Sequence, residues 1–371
     1  MSQPPQGGEG GSKVGDGPSV VALGGGHGLA VTLSAISRYA GQVTAVVSVA
    51  DDGGSSGRLR ATWPGPAPGD VRRCLLALAG DEPGQRLWAR ALDHRFSTGE
   101  LAGHSLGNLV LMALAELTGD FIAAAAEVGR LLGVKARVLP ATLGPVDLCA
   151  EVVTPGGPVV IEGQAKVTHS PAPVHRVWLR PESPAVPAEV LDAIASADQV
   201  VLGPGSLFTS VLAVCAVPAI RLALSERAAG RVYVCNLASG DGEASGLDAD
   251  AHLGALAAHG VVVDAAVFDP ASEVGAPDLV RAGTASLLSR GYGAEGAGKM
   301  PRGGNDGEQV SAGGQRRDLG EAALLGPSGQ RARIVKAALA GADGRSHDPA
   351  CLAKVLAELA AGDRAAVTEL R

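Results

Sequence analysis

A doubly wound α/β fold, with a mostly parallel, Rossmann-like sheet and one small antiparallel excursion, is what this 371-residue sequence predicts. Three observations carry the prediction. First, five short runs rich in β-branched residues are apolar almost throughout instead of alternating, as strands covered by helices on both faces are: 19–23 (SVVAL), 43–50 (VTAVVSVA), 199–202 (QVVL), 231–236 (RVYVCN) and 261–268 (VVVDAAVF). Second, helical patterns follow several of them, which is the alternation that builds parallel βαβ units. Third, the texture changes between 147 and 180, where DLCAEVV, a TPGGP turn, VVIEG and HRVWLRP read as antiparallel strands around a tight turn.

Taken in order, residues 1–17 are Gly, Pro and polar residues without periodicity, the composition of a disordered tail. The main domain is expected over 18–290. Its first strand runs straight into GGGHGLAVTL (24–33), a three-glycine loop and a helix start. In an open parallel sheet, ligands bind beyond the carboxyl ends of the strands, and a helix N-terminus there offers free N–H groups and the positive end of its dipole. The backbone of Gly24, Gly25, Gly26 and Gly28, with His27 among them, is therefore a candidate cradle for a diphosphate. The pattern departs from G-x-G-x-x-G because Leu29 stands where the last glycine would be. A tight strand-to-helix turn is the competing reading.

The second strand ends in ADDGGSSGRLR (50–60), the densest polar cluster in the chain. Two carboxylates after a buried strand are costly unless they meet water, a sugar hydroxyl or a metal. Asp51 lies about 20 residues beyond the first loop, where Rossmann folds place a ribose ligand, which makes it the foremost hydroxyl or metal partner, with Asp52 beside it. Gly53, Gly54, Ser55, Ser56 and Gly57 read as a loop of donors forming an anion nest, with Arg58 adding a positive charge. A plain Asp-Gly turn with a solvated arginine is the alternative.

PGD at 68–70 opens another helix with Asp70 as its cap, and Arg72 and Arg73 are expected to be solvated. GHSLG at 103–107 matches the G-x-S-x-G nucleophile elbow, but that elbow needs a buried strand before it and RFSTGELA is not one. Ser105 is therefore expected in a loop opening the helix NLVLMALAEL, with Asn108 offering its amide to a base or sugar. In the second half, GPGS (203–206) again joins strand to helix, so Gly203, Gly205 and Ser206 present donors at a helix start; a rigid Gly-Pro-Gly turn is the plainer reading. Asn236, closing YVCN, faces the same rim, and Asp241 and Glu243 after it are expected to be solvated. Residues 291–320 are a glycine-rich disordered insertion or linker, and 321–371 complete the same domain. There, HDPACLAKVLAEL opens a helix with Asp348 as N-cap and Pro349 at the first position.

A formal net charge of −7 argues against a general nucleic-acid or anionic-membrane surface, since both require a basic field. No stretch offers 18 uninterrupted apolar residues, so no membrane insertion is expected. The five cysteines are scattered and lack C-x-x-C spacing, which fits a reducing cytoplasm rather than a disulfide framework. The eight histidines show no metal-ligand spacing.

The motifs GGGHGL, VSVADDGGSSGRLR, PGDVRRCLLALAG, HRFSTGELAGHSLGNLVLMAL, GVKARVLPAT, LGPGSLFTSVL and YVCNL, in this order over about residues 19–270, resemble the gluconeogenesis factor family. The resemblance implies a fold shared with 2-phospho-L-lactate transferases and a protein that binds UDP-sugars, notably UDP-N-acetylglucosamine. It also implies support of cell-wall synthesis and cell shape during growth on gluconeogenic carbon. Gly25, Gly26, His27, Gly28, Asp51, Asp52, Asn108, Gly203, Gly205 and Ser206 carry the family pattern. Two departures stand out: His27 where many relatives have threonine, and ASGDGEASG after YVCNL where the family shows a Thr-Gln-Pro-Gly-Glu-Thr type of run.

No catalytic residue is assigned. The expectation is a cytoplasmic, non-catalytic regulatory factor that passes UDP-sugar supply to enzymes of aminosugar or peptidoglycan synthesis, with a homo-oligomer left open. The alternative is a transferase like the fold relatives, with Asp51 or Asp52 holding Mg2+.

Overall fold

The computed structural model describes residues 17–227, 230–237, 247–273 and 332–369, side chains from 363 onward excepted. The expected tail at 1–17, apart from Gly17, lies outside the described residues, as do the glycine-rich segment 291–320 and the positions of Asp241 and Glu243.

A seven-stranded sheet organises the chain. Its strands are β1 (Ser19–Gly24), β2 (Gln42–Val47), β3 (Arg137–Pro140), β7 (Gln199–Leu202), β8 (Arg231–Val234), β9 (Ala265–Phe268) and β10 (Arg333–Lys336), in the spatial order β10-β9-β8-β7-β1-β2-β3. Every pairing in it is parallel. The order reverses between β1 and β7, whose register sets Val20 opposite Gln199 and Leu23 opposite Leu202. That gap between the two halves is the topological switch point, where loops leaving neighbouring strands diverge to opposite faces and open a crevice.

The five expected strands are all present, with β9 starting four residues later than the apolar run and β2 ending at Val47. Strands β1, β7, β8 and β9 are buried almost throughout, and Leu23, Leu29 and Leu33 have no exposed surface. Each such leucine contributes about 1.5–3 kcal/mol of burial, an upper estimate because the unfolded chain is itself partly collapsed. Helix α1 (Gly26–Ile36) packs on β1 and is covered by α3 (Pro68–Ala77) and by α12 (Pro349–Glu369). Asp348 caps α12 as expected, its Oδ1 accepting from the N–H groups of Ala350 and Cys351.

Helices α2 (Gly54–Arg60), α4 (Pro83–Asp93), α5 (Leu106–Thr118) and α6 (Phe121–Leu132) complete the first half. The antiparallel excursion is a separate three-stranded sheet, with β4 (Asp147–Thr154) between β5 (Gly157–Glu162) and β6 (Val174–Arg180). Short α7 (Gln164–Thr168) follows β5. Helix α8 (Ala188–Ser196) leads into β7, and α9 (Leu212–Cys215) and α10 (Pro218–Ser225) lie between β7 and β8. Helix α11 (Ala249–Ala258) precedes β9.

The segment carrying β10 is tied back to the domain by polar contacts. Asp269, at the end of β9, accepts from the N–H groups of Ala271, Leu339 and Ala340, and His347 Nε2 lies 3.1 Å from the Cys235 carbonyl oxygen. Among the described residues no single helix is long and apolar enough to cross a membrane.

Candidate functional site

The loops that follow β1 and β7 lie side by side because those strands pair. Gly203 donates its N–H to the Leu23 carbonyl (3.0 Å), and the buried Thr32 hydroxyl of α1 donates to the Gly203 carbonyl (2.6 Å). Gly28, in the first turn of α1, meets the Pro204 carbonyl so closely that a Cβ there would overlap it. The Gly203–Pro204 peptide is cis. Gly203 has φ +78, a region that favours glycine. The chain past it enters a π-helical turn, Leu207–Val211, with half-buried Ser206 at its entrance.

The loop after β2 joins the same rim through α3. Asp70 Oδ2 accepts from the Gly26 N–H (2.7 Å), and its other oxygen pairs with Arg73. A Cβ on Gly25 would lie 2.6 Å from Asp70 Oδ2, and one on Gly69 would lie 2.7 Å from Asp51 Oδ2. Asp51 thus lies against Gly69 at the start of α3, and Asp70, the next residue, lies against the Gly25–Gly26 turn. Burial raises the Asp70 pKa, Arg73 works against the rise, and Asp51 adds to it. The first N–H groups of a helix have no partner within it. Asp70 takes that of Gly26, which leaves those of His27 and Gly28 pointing past the N-terminus of α1, with the His27 side chain exposed at the rim.

This corrects three sequence expectations, the first being that Arg72 and Arg73 are solvated: Arg72 is buried and paired with Asp93, and Arg73 is paired with Asp70. Asp70 does not cap α3: the cap position belongs to Ala67, and Pro68 fills the first helical turn with its preset φ. Asp70 falls within that turn, free to reach Gly26. Residues 53–57 are not an open nest either, because Gly54, at φ +48, starts helix α2 and places Ser55 and Ser56 inside it. Both serines are buried, at 3% and 2% exposure, so their hydroxyls serve the protein interior. Arg58 donates from its exposed side chain to the Ala102 carbonyl (2.9 Å).

The two aspartates of ADDGG part company. Asp51 Oδ1 accepts from the Gly53 N–H (3.0 Å) and stays at the rim. Asp52 Oδ1 accepts from the Ala165 N–H (2.8 Å) at the start of α7 and packs under Gly163, so it ties the antiparallel sheet to the main domain. Arg60 strengthens that tie through Asp147 (2.9 Å). Of the two aspartates, either of which was expected to hold Mg2+, Asp52 is engaged at α7 and does not fit a metal site, while Asp51 remains at the rim. Among the described residues no group of three or more His, Cys, Asp or Glu side chains is placed to hold a metal ion.

Asn108 lies in the first turn of α5, its Nδ2 donating to Ser55 Oγ (3.1 Å). Ser105 is fully buried and donates to the Leu92 carbonyl (3.3 Å), which rules out an exposed nucleophile at the elbow-like motif. Asn236 is half-buried and follows β8 at the same edge of the sheet. Sequence reasoning missed the Asp70 contact because it joins residues 44 apart and no local pattern reports it.

The fold and this rim define a class: a doubly wound α/β protein whose glycine loops and one buried carboxylate meet at the switch point of its sheet. The chain belongs to the gluconeogenesis factor family: the family described as 2-phospho-L-lactate transferase CofD matches residues 20–279. It is 41% identical over 260 residues to the gluconeogenesis factor of Halalkalibacterium halodurans, covering 69% of this chain and 79% of that one. Against the gluconeogenesis factor of Bacillus subtilis it is 40% identical over 247 residues, covering 66% and 76%. A crystal structure of a upf0052 family protein from Bacillus halodurans superposes with a TM-score of 0.72 at 32% identity, covering 92% of this chain and 99% of that one.

Proposed function

We propose that this protein binds a UDP-sugar, UDP-N-acetylglucosamine foremost, at the rim where the loops after β1, β2 and β7 meet. It acts in the cytoplasm as a regulatory factor that relays nucleotide-sugar supply to enzymes of aminosugar or peptidoglycan synthesis, and so to cell shape during gluconeogenic growth. The observation that carries the reading is the packing of Gly28 on Pro204 at the switch point, which sets the open N–H groups of His27 and Gly28 beside the Gly205–Ser206 turn. Paired glycine turns with free donors suit a diphosphate, and Asp51 suits the hydroxyls of an attached sugar. Isothermal titration tests it. UDP-N-acetylglucosamine should bind, and Asp51→Asn should weaken it about tenfold, the effect of losing one charged hydrogen bond of about 1.5 kcal/mol. No heat with any UDP-sugar would refute the reading.

A transferase reading rests on the name of the matching family and on the contact between the Asp51 and Asp70 segments. Incubation with Mg2+, a nucleotide-activated phospholactate and a deazaflavin tests it, and absence of a phospholactyl product removes it.

A further inference from the structure

The polar cluster between α2 and α5 dictates where its protons sit. Ser55 Oγ has one proton to give and two lone pairs to receive. Two N–H groups point at it: Asn108 Nδ2 at 3.1 Å and the backbone N of Ser105 at 3.4 Å. With both lone pairs engaged, the hydroxyl proton goes to the remaining neighbour, His104 Nδ1, 3.2 Å away. Nδ1 is then an acceptor, and the ring proton of the neutral imidazole lies on Nε2. One atom is left over. Asn108 Oδ1 is buried and has no hydrogen-bond partner among the described residues, in a side chain whose residue is 2% exposed. A buried acceptor in that state calls for a donor.

Protonation of His104 reverses the arrangement. A charged imidazole must donate from Nδ1, which would aim three donors at an oxygen with two lone pairs. Rotating the Asn108 amide by a half-turn resolves the conflict. Oδ1 then accepts the Ser55 hydroxyl proton, Ser55 Oγ accepts from His104 and Ser105, and Nδ2 swings to where Oδ1 had been. Ser55 and His104 are satisfied in either state; what changes is the sense of the remaining amide atom, acceptor in one and donor in the other.

We propose that Asn108 determines ligand specificity at this rim and that His104 sets its sense, so that neutral His104 selects a ligand N–H or O–H donor, such as an imide N–H or a sugar hydroxyl. Such a donor would satisfy the orphaned Asn108 Oδ1. The charged groups facing His104 are Arg58 of α2 and Arg95 of the α4–α5 loop, whose guanidiniums donate to the Ala102 and Gly103 carbonyls. Burial first, then these two cations, lower the His104 pKa, so the neutral arrangement governs at neutral pH. The ligand class rests on the nucleotide-sugar reading above, whereas the proton arrangement is independent of it.

Nitrogen-15 NMR of the full chain tests the proton arrangement without ligand. At about pH 7.5 His104, assigned by His104→Gln, should show the Nε2–H tautomer. On acidification the Asn108 side-chain amide should move with the midpoint of His104, and in Ser55→Ala His104 should still titrate while Asn108 no longer follows. An Nδ1–H tautomer overturns the proposal, and so does an Asn108 amide that ignores His104 or follows it unchanged without Ser55. Titration with UDP-N-acetylglucosamine tests the selection: affinity should fall about tenfold between about pH 7.5 and one unit below the His104 midpoint found by NMR in the wild type and stay level in His104→Gln. Equal affinity at both pH values in the wild type overturns the specificity role. Absence of binding at either pH overturns the named ligand and the nucleotide-sugar reading together, and the NMR result then decides the switch alone.

Discussion

Gly28→Ala sets two opposing effects against each other at the centre of the rim. Gly28 is the third residue of α1, and alanine in a helix is favoured over glycine by about 1 kcal/mol. Against that gain, the new Cβ would overlap the Pro204 carbonyl oxygen and lie 2.6 Å from its carbon and 2.8 Å from Gly205 Cα. These are backbone atoms, and the neighbouring Gly203 carbonyl is held by Thr32, so no side-chain rotation relieves the contact. Overpacking of this kind costs about 1–3 kcal/mol. With backbone as the obstacle we take the upper part of that range, for a net destabilisation of about 1–2 kcal/mol and a fall in Tm of about 2–4 °C for each kcal/mol. Gly84→Ala is the control: Gly84 lies in the first turn of α4 and a Cβ there would meet nothing within 4 Å, so the same substitution should leave stability unchanged or raise it. Urea denaturation and titration with UDP-N-acetylglucosamine report the two consequences, and affinity should fall at least tenfold as α1 and the 203–206 turn separate. If Gly28→Ala matches Gly84→Ala in both stability and binding, the two loops are not in the contact described.

Asp70→Asn keeps an acceptor for Gly26 and removes a buried charge. Because the folded pKa of Asp70 is raised, its stabilising contribution is complete below the unfolded value near 3.8 and is lost as pH rises through the folded value. The variant should therefore be more stable than wild type at pH 7, with the gain gone near pH 3 by urea denaturation. Asp269 behaves oppositely: burial opposes its ionisation, but the N–H groups of Leu339, Ala271 and Ala340, and then His347, lower its pKa. Its contribution is present above about 3.8 and lost as pH falls through the folded value, so Asp269→Asn should cost about 1–3 kcal/mol at pH 7 and progressively less in acid. Asp52→Ala removes the acceptor at the start of α7. It should cost about 1 kcal/mol and speed amide exchange over residues 164–168, while Asp51→Asn leaves that exchange unchanged.

Much of this architecture is legible in the chain because the central strands are buried on both faces, so their apolar runs report strand and burial together. Two strands are not legible, β3 and β10. Each is four residues long, begins with an exposed arginine and lies at an edge, so neither presents a sustained apolar run. The glycine turns at 24–28 and 203–206 can be read because they stand between a strand and a helix. The helix over Gly54–Arg60 cannot, since Gly and Ser are weak helix formers and only packing against α3 and α5 selects it. The same limit hides the division of labour between Asp51 and Asp52. Adjacent carboxylates look alike in sequence, yet one stays at the rim and the other caps a helix 113 residues away.

A crystal structure of the protein with UDP-N-acetylglucosamine addresses the main assertion most directly. The diphosphate should lie within hydrogen-bond distance of the backbone N–H groups of His27 and Gly28 and of the 205–206 turn, with a sugar hydroxyl on Asp51. A nucleotide sugar bound away from the β1–β7 gap would contradict it.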